Sequence, residues 1–272
     1  MTVWICATCA VEHDEPVEVC AICADPRQWV PADGQRWTTL AEMRDAGYRT
    51  RVVEREPGLW AITSRPAAGI GQQSKVVRTD AGCLLFDPIG FVDDAAVDAL
   101  QRLGPVVAIV ASHPHMYGMQ VEWSRALGDV PVLVAEKDRE WVARNDPMIR
   151  TWSDDLEILP GVTLAQPGGH FPGSAVVHWA AGAEGRGVIL ASDTVFANPD
   201  RTSVSFMWSY PNRIPLSGAV AERVAAHVCR FAFDRLYGNF DNVIPSGARE
   251  VVRRSADRHL RWARGDFDHL TA

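Results

Sequence analysis

Four cysteines crowd the first 23 residues as Cys6-x2-Cys9 and Cys20-x2-Cys23, and farther on two histidines stand two apart as His113-Pro114-His115. The chain has 6 Cys in 272 residues, so roughly 0.13 C-x2-C pairs would arise by chance. Two such pairs, ten residues apart, therefore carry information. Each knuckle can turn both thiolates toward one tetrahedral ion, and two knuckles complete a closed four-thiolate site. About 30 residues cannot bury enough surface to fold alone, and metal binding supplies the missing free energy, roughly 10–16 kcal/mol. Residues 1–34 are thus expected to form a four-cysteine zinc ribbon holding a structural Zn2+. A rubredoxin-type iron centre uses the same spacing, but its knuckles usually have Gly after the second cysteine. Ala10 and Ala24 stand there instead, which favours a structural ion. Disulfides are disfavoured in a reducing compartment. His13, between the knuckles, is expected to be exposed, and Cys83 and Cys229 to be buried as small hydrophobes.

The His113-Pro114-His115 pair is weaker by itself, since about 0.24 such pairs are expected by chance from 8 His. In an extended segment residues two apart point to one side, and Pro114 disfavours helix at His113. Both imidazoles could then reach one ion. Two further segments sharpen the signal. Gly168-Gly169-His170-Phe171-Pro172-Gly173-Ser174 puts a single His in a glycine-rich loop, and Ser192-Asp193-Thr194 follows the apolar run Val188–Ala191. Metal-type ligands thus fall at the ends of apolar strands, where functional residues collect in layered α/β folds.

The elements that must position these residues follow from pattern. Helix is expected over Trp37–Ala46, stopped by Gly47. An antiparallel meander is expected near Arg51–Arg55, Trp60–Ser64, Lys75–Thr79 and Cys83–Phe86, with Gly58, Pro66, Gly69, Gly71 and Gly82 at its turns. Asp93 can cap a helix to Leu103. Val106–Ala111 reads as a strand buried on both faces. Then come helix (Gly118–Leu127), strand (Val130–Ala135), helix (Lys137–Ala143), and strands at Leu156–Ile158, Val162–Gln166, Ala175–Ala180 and Gly187–Ala191. Helix Ser217–Cys229, strand Phe233–Tyr237 and helix Ala248–Arg264 complete the chain. Strands first, then mixed strands and helices, predict an α/β sandwich over residues 35–272.

In order and spacing the series H-x-H, GGHxPGS and SDT resembles the metallo-β-lactamase superfamily from about Trp60 to Tyr237. The resemblance implies a four-layer αββα sandwich behind a rubredoxin-like ribbon. It matches His113, His115 and His170 to the first-site metal ligands, and Asp193 to the aspartate that bridges two metals in dinuclear members. The usual first motif is H-x-H-x-D-H, whereas Tyr117 and Gly118 stand at its Asp and second His. Neither suits a second cation. The family's late His is missing around Val243–Gly247, and His178, His227, His259 and His269 are assigned packing or surface roles. The expectation is one catalytic metal.

Such a site, as zinc, lowers the pKa of bound water to about 7 for attack on a carbonyl carbon. Asp193 is then the candidate to orient or deprotonate that water, and Tyr117 to donate to the developing oxyanion. The aromatic stretch Ser205–Asn212, with Trp208 and Tyr210, is a candidate substrate wall. These readings predict a mononuclear zinc hydrolase of a small thioester, ester or lactone. Two alternatives stand beside it. One is an Fe2+ dioxygenase for a small thiol or persulfide, with His113, His170 and Asp193 as its facial triad. The other is a catalytically degenerate metal-binding scaffold.

With 47% hydrophobic and 22% charged residues, composition is that of an ordinary globular chain. The net charge of -7 opposes binding of nucleic acid. No apolar run is long enough to span a bilayer, and the N-terminal residues carry no secretory pattern. A cytoplasmic protein without membrane contact is expected, with its acidic ribbon as a surface for a protein partner or a second copy.

Overall fold

The computed structural model describes residues 2–271, which divide into two compact units, one up to Ser153 and one from Asp154. The first unit begins with a three-stranded antiparallel sheet. Trp4–Cys6 lies in its centre, with Glu12–His13 on one side and Trp37–Thr39 on the other. Trp37–Thr39 was expected to open a helix, and is a strand instead. Aromatic and β-branched residues suit a pleated surface, and Cys6 pairs with Trp37. The helix starts three residues later than expected, over Leu40–Asp45, because Thr39 and Glu42 form a complete capping box.

A seven-stranded mixed sheet follows. Arg49–Glu56, Leu59–Arg65, Ser74–Thr79 and Gly82–Phe86 form the antiparallel meander. Val106–Val110, Val132–Ala135 and Ile149–Trp152 then add in parallel beyond Gly82–Phe86. Every residue of Gly82–Phe86 and Val132–Ala135 is buried, as continuous apolar strands require. Helix Asp94–Leu103 is capped by Asp93, whose carboxylate accepts from Ala96 N (3.0 Å) and also from Thr50 N (2.9 Å). One side chain thus starts the helix and ties it to the meander edge. The segment expected as helix Lys137–Ala143 is a 3-10 helix, Glu136–Trp141. Within it the Asp138 carbonyl accepts from the Tyr117 hydroxyl at 2.8 Å.

The second unit holds a six-stranded sheet in the order Leu156–Leu159, Val162–Ala165, Val176–Trp179, Val188–Leu190, Arg235–Tyr237, Val243–Ile244. All its pairings are antiparallel except Val188–Leu190 with Arg235–Tyr237. Helices Gly218–Val228 and Ala248–Ala263 share an apolar cluster with it that includes Ile189, Val224, Leu236 and Val252. Two small hairpins, Phe196–Ala197 with Val204–Ser205 and Met207–Ser209 with Ile214–Pro215, were not anticipated. Their strands are two or three residues long, below the length at which alternation is readable. Among the described residues no helix is long and apolar enough to cross a membrane.

Close backbone approaches fasten the knuckle loop to the rest of the first unit. Ala10 takes a left-handed conformation (φ 63°), the place where a knuckle glycine is usual. A Cβ at Gly90 would lie 2.1 Å from the Ala10 methyl and 2.9 Å from its carbonyl oxygen. Gly90→Ala is therefore expected to destabilise the protein by about 1–3 kcal/mol. The measurement is a urea midpoint that falls at unchanged slope.

Candidate metal centres

The cysteine cluster has the dimensions of a tetrahedral thiolate site. Cys6, Cys9, Cys20 and Cys23 are all buried and unoxidised, and their sulfurs lie within 4.8 Å of one another. Cys6 and Cys23 are 3.6 Å apart and Cys9 and Cys20 3.7 Å. A tetrahedron with Zn–S bonds of about 2.3 Å has edges of about 3.8 Å, whereas a disulfide needs about 2.05 Å. Hydrogen bonds from the thiols of Cys23, Cys6 and Cys9 hold Cys20 far below the ordinary thiol range. The Gln35 amide donates to Cys6 Sγ at 3.1 Å. His13 is buried rather than exposed. Its Nε2 is 3.7 Å from Cys20 Sγ and its ring meets the edge of Trp37 at 4.6 Å, so the imidazole packs over the cluster.

His113 and His115 follow strand Val106–Val110. Asp87, at the end of the neighbouring strand, accepts from Ser112 N at 2.6 Å and so fixes where the strand stops. His113 is extended (φ -170°, ψ 171°), but Pro114–Met116 is a turn of 3-10 helix. The two rings are therefore brought together by a switch from extended to helical backbone, and the expected period-two alternation is not the cause. Their centroids are 5.2 Å apart, and both residues are buried. His113 Nδ1 meets Ser112 Oγ at 2.9 Å, a pairing typical of metal-binding imidazoles.

His170 and Asp193 are set within the second unit. Gly168 and Gly169 take positive φ (68° and 103°), and a Cβ at Gly169 would stand 2.9 Å from Val224. The loop is closed by Gly168 N to Ser174 O (3.0 Å) and Phe171 N to Ser174 Oγ (2.7 Å). His170 Nδ1–H donates to the Met207 carbonyl at 3.2 Å, and Nε2 is 3.9 Å from Asp193 Oδ2. Asp193 follows Ser192, a non-glycine residue at φ 48° whose hydroxyl accepts from Asn239 Nδ2 at 3.2 Å. The Tyr210 hydroxyl donates to the Asp193 backbone carbonyl at 2.9 Å. Burial, then the Asp193 charge, pushes the Tyr210 hydroxyl well above its usual range, so it keeps its proton.

Each unit thus carries one buried pair of metal-type side chains, His113 with His115 in the first and His170 with Asp193 in the second. The other expected residues fall as follows. Tyr117 is buried, and its hydroxyl proton goes to the Asp138 carbonyl. Tyr210 stacks near His170 (5.7 Å) and Phe196 (4.8 Å), while Trp208 is half-buried against the apolar cluster of the second unit. His178 meets the Ala232 carbonyl, His259 the Leu216 carbonyl, and His227 sits beside Asp155. Sequence reading missed Asp87, Ser112 and Met207. Ser112 adjoins the motif and could have been noticed, whereas Met207 acts through its backbone and leaves no residue-type signal.

Gly118 stands where the resemblance puts the second His of the first motif. It has φ 50°, and a Cβ there would lie 2.0 Å from the Pro88 carbonyl oxygen. No side chain fits. Just beyond, Glu12 reaches over from the cysteine sheet. Its carboxylate accepts from Val121 N, from Glu122 N (3.3 Å) and from Arg144 Nη1 (2.8 Å). Arg144 also meets Glu122 (2.8 Å) and Asp14 (3.2 Å). Burial pushes the Glu12 carboxyl up to about 7, although Val121 and Arg144 pull the other way. At Arg144 burial works against the charge, but Glu122 and Glu12 outweigh it and raise the guanidinium.

No family model matches the chain. The uncharacterized protein YmaE of Bacillus subtilis (strain 168) is 40% identical over 274 residues, covering 99% of this chain and 100% of that protein. Among solved structures, VMB-1 aligns with TM-score 0.60 at 12% identity, covering 79% of this chain and 98% of its own. The metallo-β-lactamase FIM-1 from Pseudomonas aeruginosa, in its mono-zinc form, aligns with TM-score 0.55 at 15% identity (77% and 95%). A metallo-β-lactamase from Hirschia baltica gives 0.52 at 16% (76% and 96%). At these identities the likeness is one of fold.

Two outcomes follow. Gly118→His is expected to lower stability without raising metal content per chain, as measured by elemental mass spectrometry beside a denaturant melt. The second concerns pH. Glu12 takes up a proton on folding between its ordinary value near 4.5 and about 7, so its contribution to stability falls as pH rises through that window. Glu12→Gln, which cannot ionise, should flatten the dependence of the urea midpoint on pH between about 4.5 and 7. An unchanged slope would contradict the assignment.

Proposed function

Because this chain belongs to one family with Bacillus subtilis YmaE and has the metallo-β-lactamase fold, we propose that it is a metal-dependent hydrolase of a small carbonyl compound. A thioester, ester or lactone is the substrate class, and one metal ion is held by His113, His115, His170 and Asp193. The observation that carries this reading is a buried imidazole pair, His113 and His115, in the first unit and a buried His170–Asp193 pair in the second, beside a backbone at Gly118 that admits no further ligand. Three imidazoles and a carboxylate suit zinc, and the mono-zinc form of FIM-1 is a precedent for one zinc in this fold. A zinc ion there would supply a Lewis acid and a water acidic enough to ionise near pH 7.

The protein's own groups do the rest. Ser112 and the Met207 carbonyl orient His113 and His170. Asp193, its backbone held by Tyr210, would help hold the ion and orient the water beside it with its carboxylate. Tyr117 has no part in this reading, because its proton is engaged by Asp138. An iron dioxygenase would use only His113, His170 and Asp193. A second buried imidazole beside His113, that of His115, favours the zinc hydrolase. We assign the protein to the cytoplasm, where thiolates stay reduced and available to zinc.

Elemental analysis of the purified protein should find about two zinc per chain. About one should remain when Cys6, Cys9, Cys20 and Cys23 are replaced, and about one when His113 and His170 are replaced. Simple thioesters should be hydrolysed, and Asp193→Asn should lower kcat about 10²–10⁴-fold. Iron at the second site with oxygen-dependent thiol oxidation would move the assignment to a dioxygenase. Zinc with no turnover of thioester, ester or lactone would overturn hydrolysis.

A further inference from the structure

We propose that the cysteine ribbon serves as an internal brace for the His113–His115 turn, with Glu12 as the positioning residue that transmits its hold. This inference rests on the metal reading of His113 and His115.

Helix Gln120–Ala126 begins directly after that turn, and its own N-cap, Met119, makes no side-chain capping bond. Its first backbone N–H groups need acceptors. Glu12 provides them from the ribbon, accepting from Val121 N with one carboxylate oxygen and from Glu122 N with the other. The Glu12 backbone N–H also donates to the Gly118 carbonyl at 3.1 Å. One ribbon residue thus grips both the end of the segment that carries His115 and the start of the helix behind it.

The grip is prepared on the ribbon side. Arg144, itself only 5% exposed, holds the second Glu12 oxygen at 2.8 Å and binds Asp14 at 3.2 Å. Glu12 lies in the short strand Glu12–His13, between Ala10 and Asp14. Ala10 packs where Gly69 and Gly90 leave no room for a Cβ. Cys9, a candidate zinc ligand, directly precedes this stretch, and His13 turns to the other side against Cys20 and Trp37. Arg27 reaches the Trp141 ring at 5.7 Å, a further tie between the ribbon and the segment around Arg144. A ribbon folded on its ion therefore fixes the place of Glu12, and Glu12 fixes the turn. By linkage, filling either metal site then favours filling the other.

The test is cobalt(II) titration of the full-length metal-free protein and its Glu12→Ala and Glu12→Gln variants, paired with hydrogen–deuterium exchange. Cobalt on four thiolates gives an intense near-ultraviolet charge-transfer band, whereas cobalt on imidazole and carboxylate gives only weak visible bands. The two sites are thus read separately. Glu12→Ala should weaken the weak-band site by about 10–100-fold, leave the thiolate band in place, and speed exchange in peptides covering 113–127. Glu12→Gln, which keeps an acceptor oxygen, should recover part of both. Unchanged weak-band affinity with unchanged exchange over 113–127 would overturn the brace. So would an equal loss at both sites with exchange raised throughout, since Glu12 would then serve general stability. Wild-type protein that takes cobalt only at the thiolates fails a different claim, the metal reading of the histidines, and this inference falls with it.

Discussion

His113 and His170 each keep one ring nitrogen engaged by a neighbour, Ser112 Oγ at 2.9 Å and the Met207 carbonyl at 3.2 Å. That arrangement is what a metal-binding imidazole needs. With Nδ1 engaged the ring direction is set, and at His170, where a carbonyl can only accept, the proton is placed on Nδ1 as well. The surrounding structure can be understood as the means of holding those neighbours still. Asp87 pins Ser112, a glycine-rich loop with its own closing bonds carries His170, and the Met207–Ser209 hairpin supplies the carbonyl. Tyr210, from the same hairpin segment, then fixes the backbone of Asp193.

Of the ten described non-glycine residues with positive φ, three, Ala10, Asp87 and Ser192, adjoin a candidate ligand or a residue that positions one. Such conformations persist only where neighbours over-determine them, and they cluster at functional sites. Here the neighbours are visible: the close approach to Gly69 and Gly90 for Ala10, the Ser112 N–H for Asp87, and Asn239 for Ser192.

The Glu12–Arg144 pair illustrates a different economy. A buried ion pair adds little net stability over well-packed apolar residues, but breaking it by removing one partner costs about 3–5 kcal/mol. Its value is therefore geometric. It specifies where the ribbon strand lies on the helix that follows the His113–His115 turn, through hydrogen bonds to Val121 N, Glu122 N and Arg144. The rise of Glu12 to about 7 is the energetic mark of that placement.

Much of this was readable from residue types and spacing. Cys-x2-Cys twice, H-x-H, the glycine-rich loop around His170 and the Asp193 strand end name all eight candidate ligands; the four thiols lie together, His113 lies beside His115, and His170 beside Asp193. Strand and helix periodicity located the meander, the buried parallel strands and the long helices to within a few residues, because those elements are long enough for burial to imprint a period. Tertiary structure alone decided the rest. The strand at Trp37–Thr39 exists because Trp4–Cys6 pairs with it. The histidines converge through a 3-10 turn that no local pattern announces. His13 is buried because Trp37 and Cys20 come to it. Gly118 excludes a ligand because the Pro88 carbonyl, distant in sequence, lies where its Cβ would be. A sequence records what each residue can do, whereas the pairing of Glu12 with Val121 and Arg144 depends on chain segments more than a hundred residues apart, and only the folded backbone brings those groups within bonding distance.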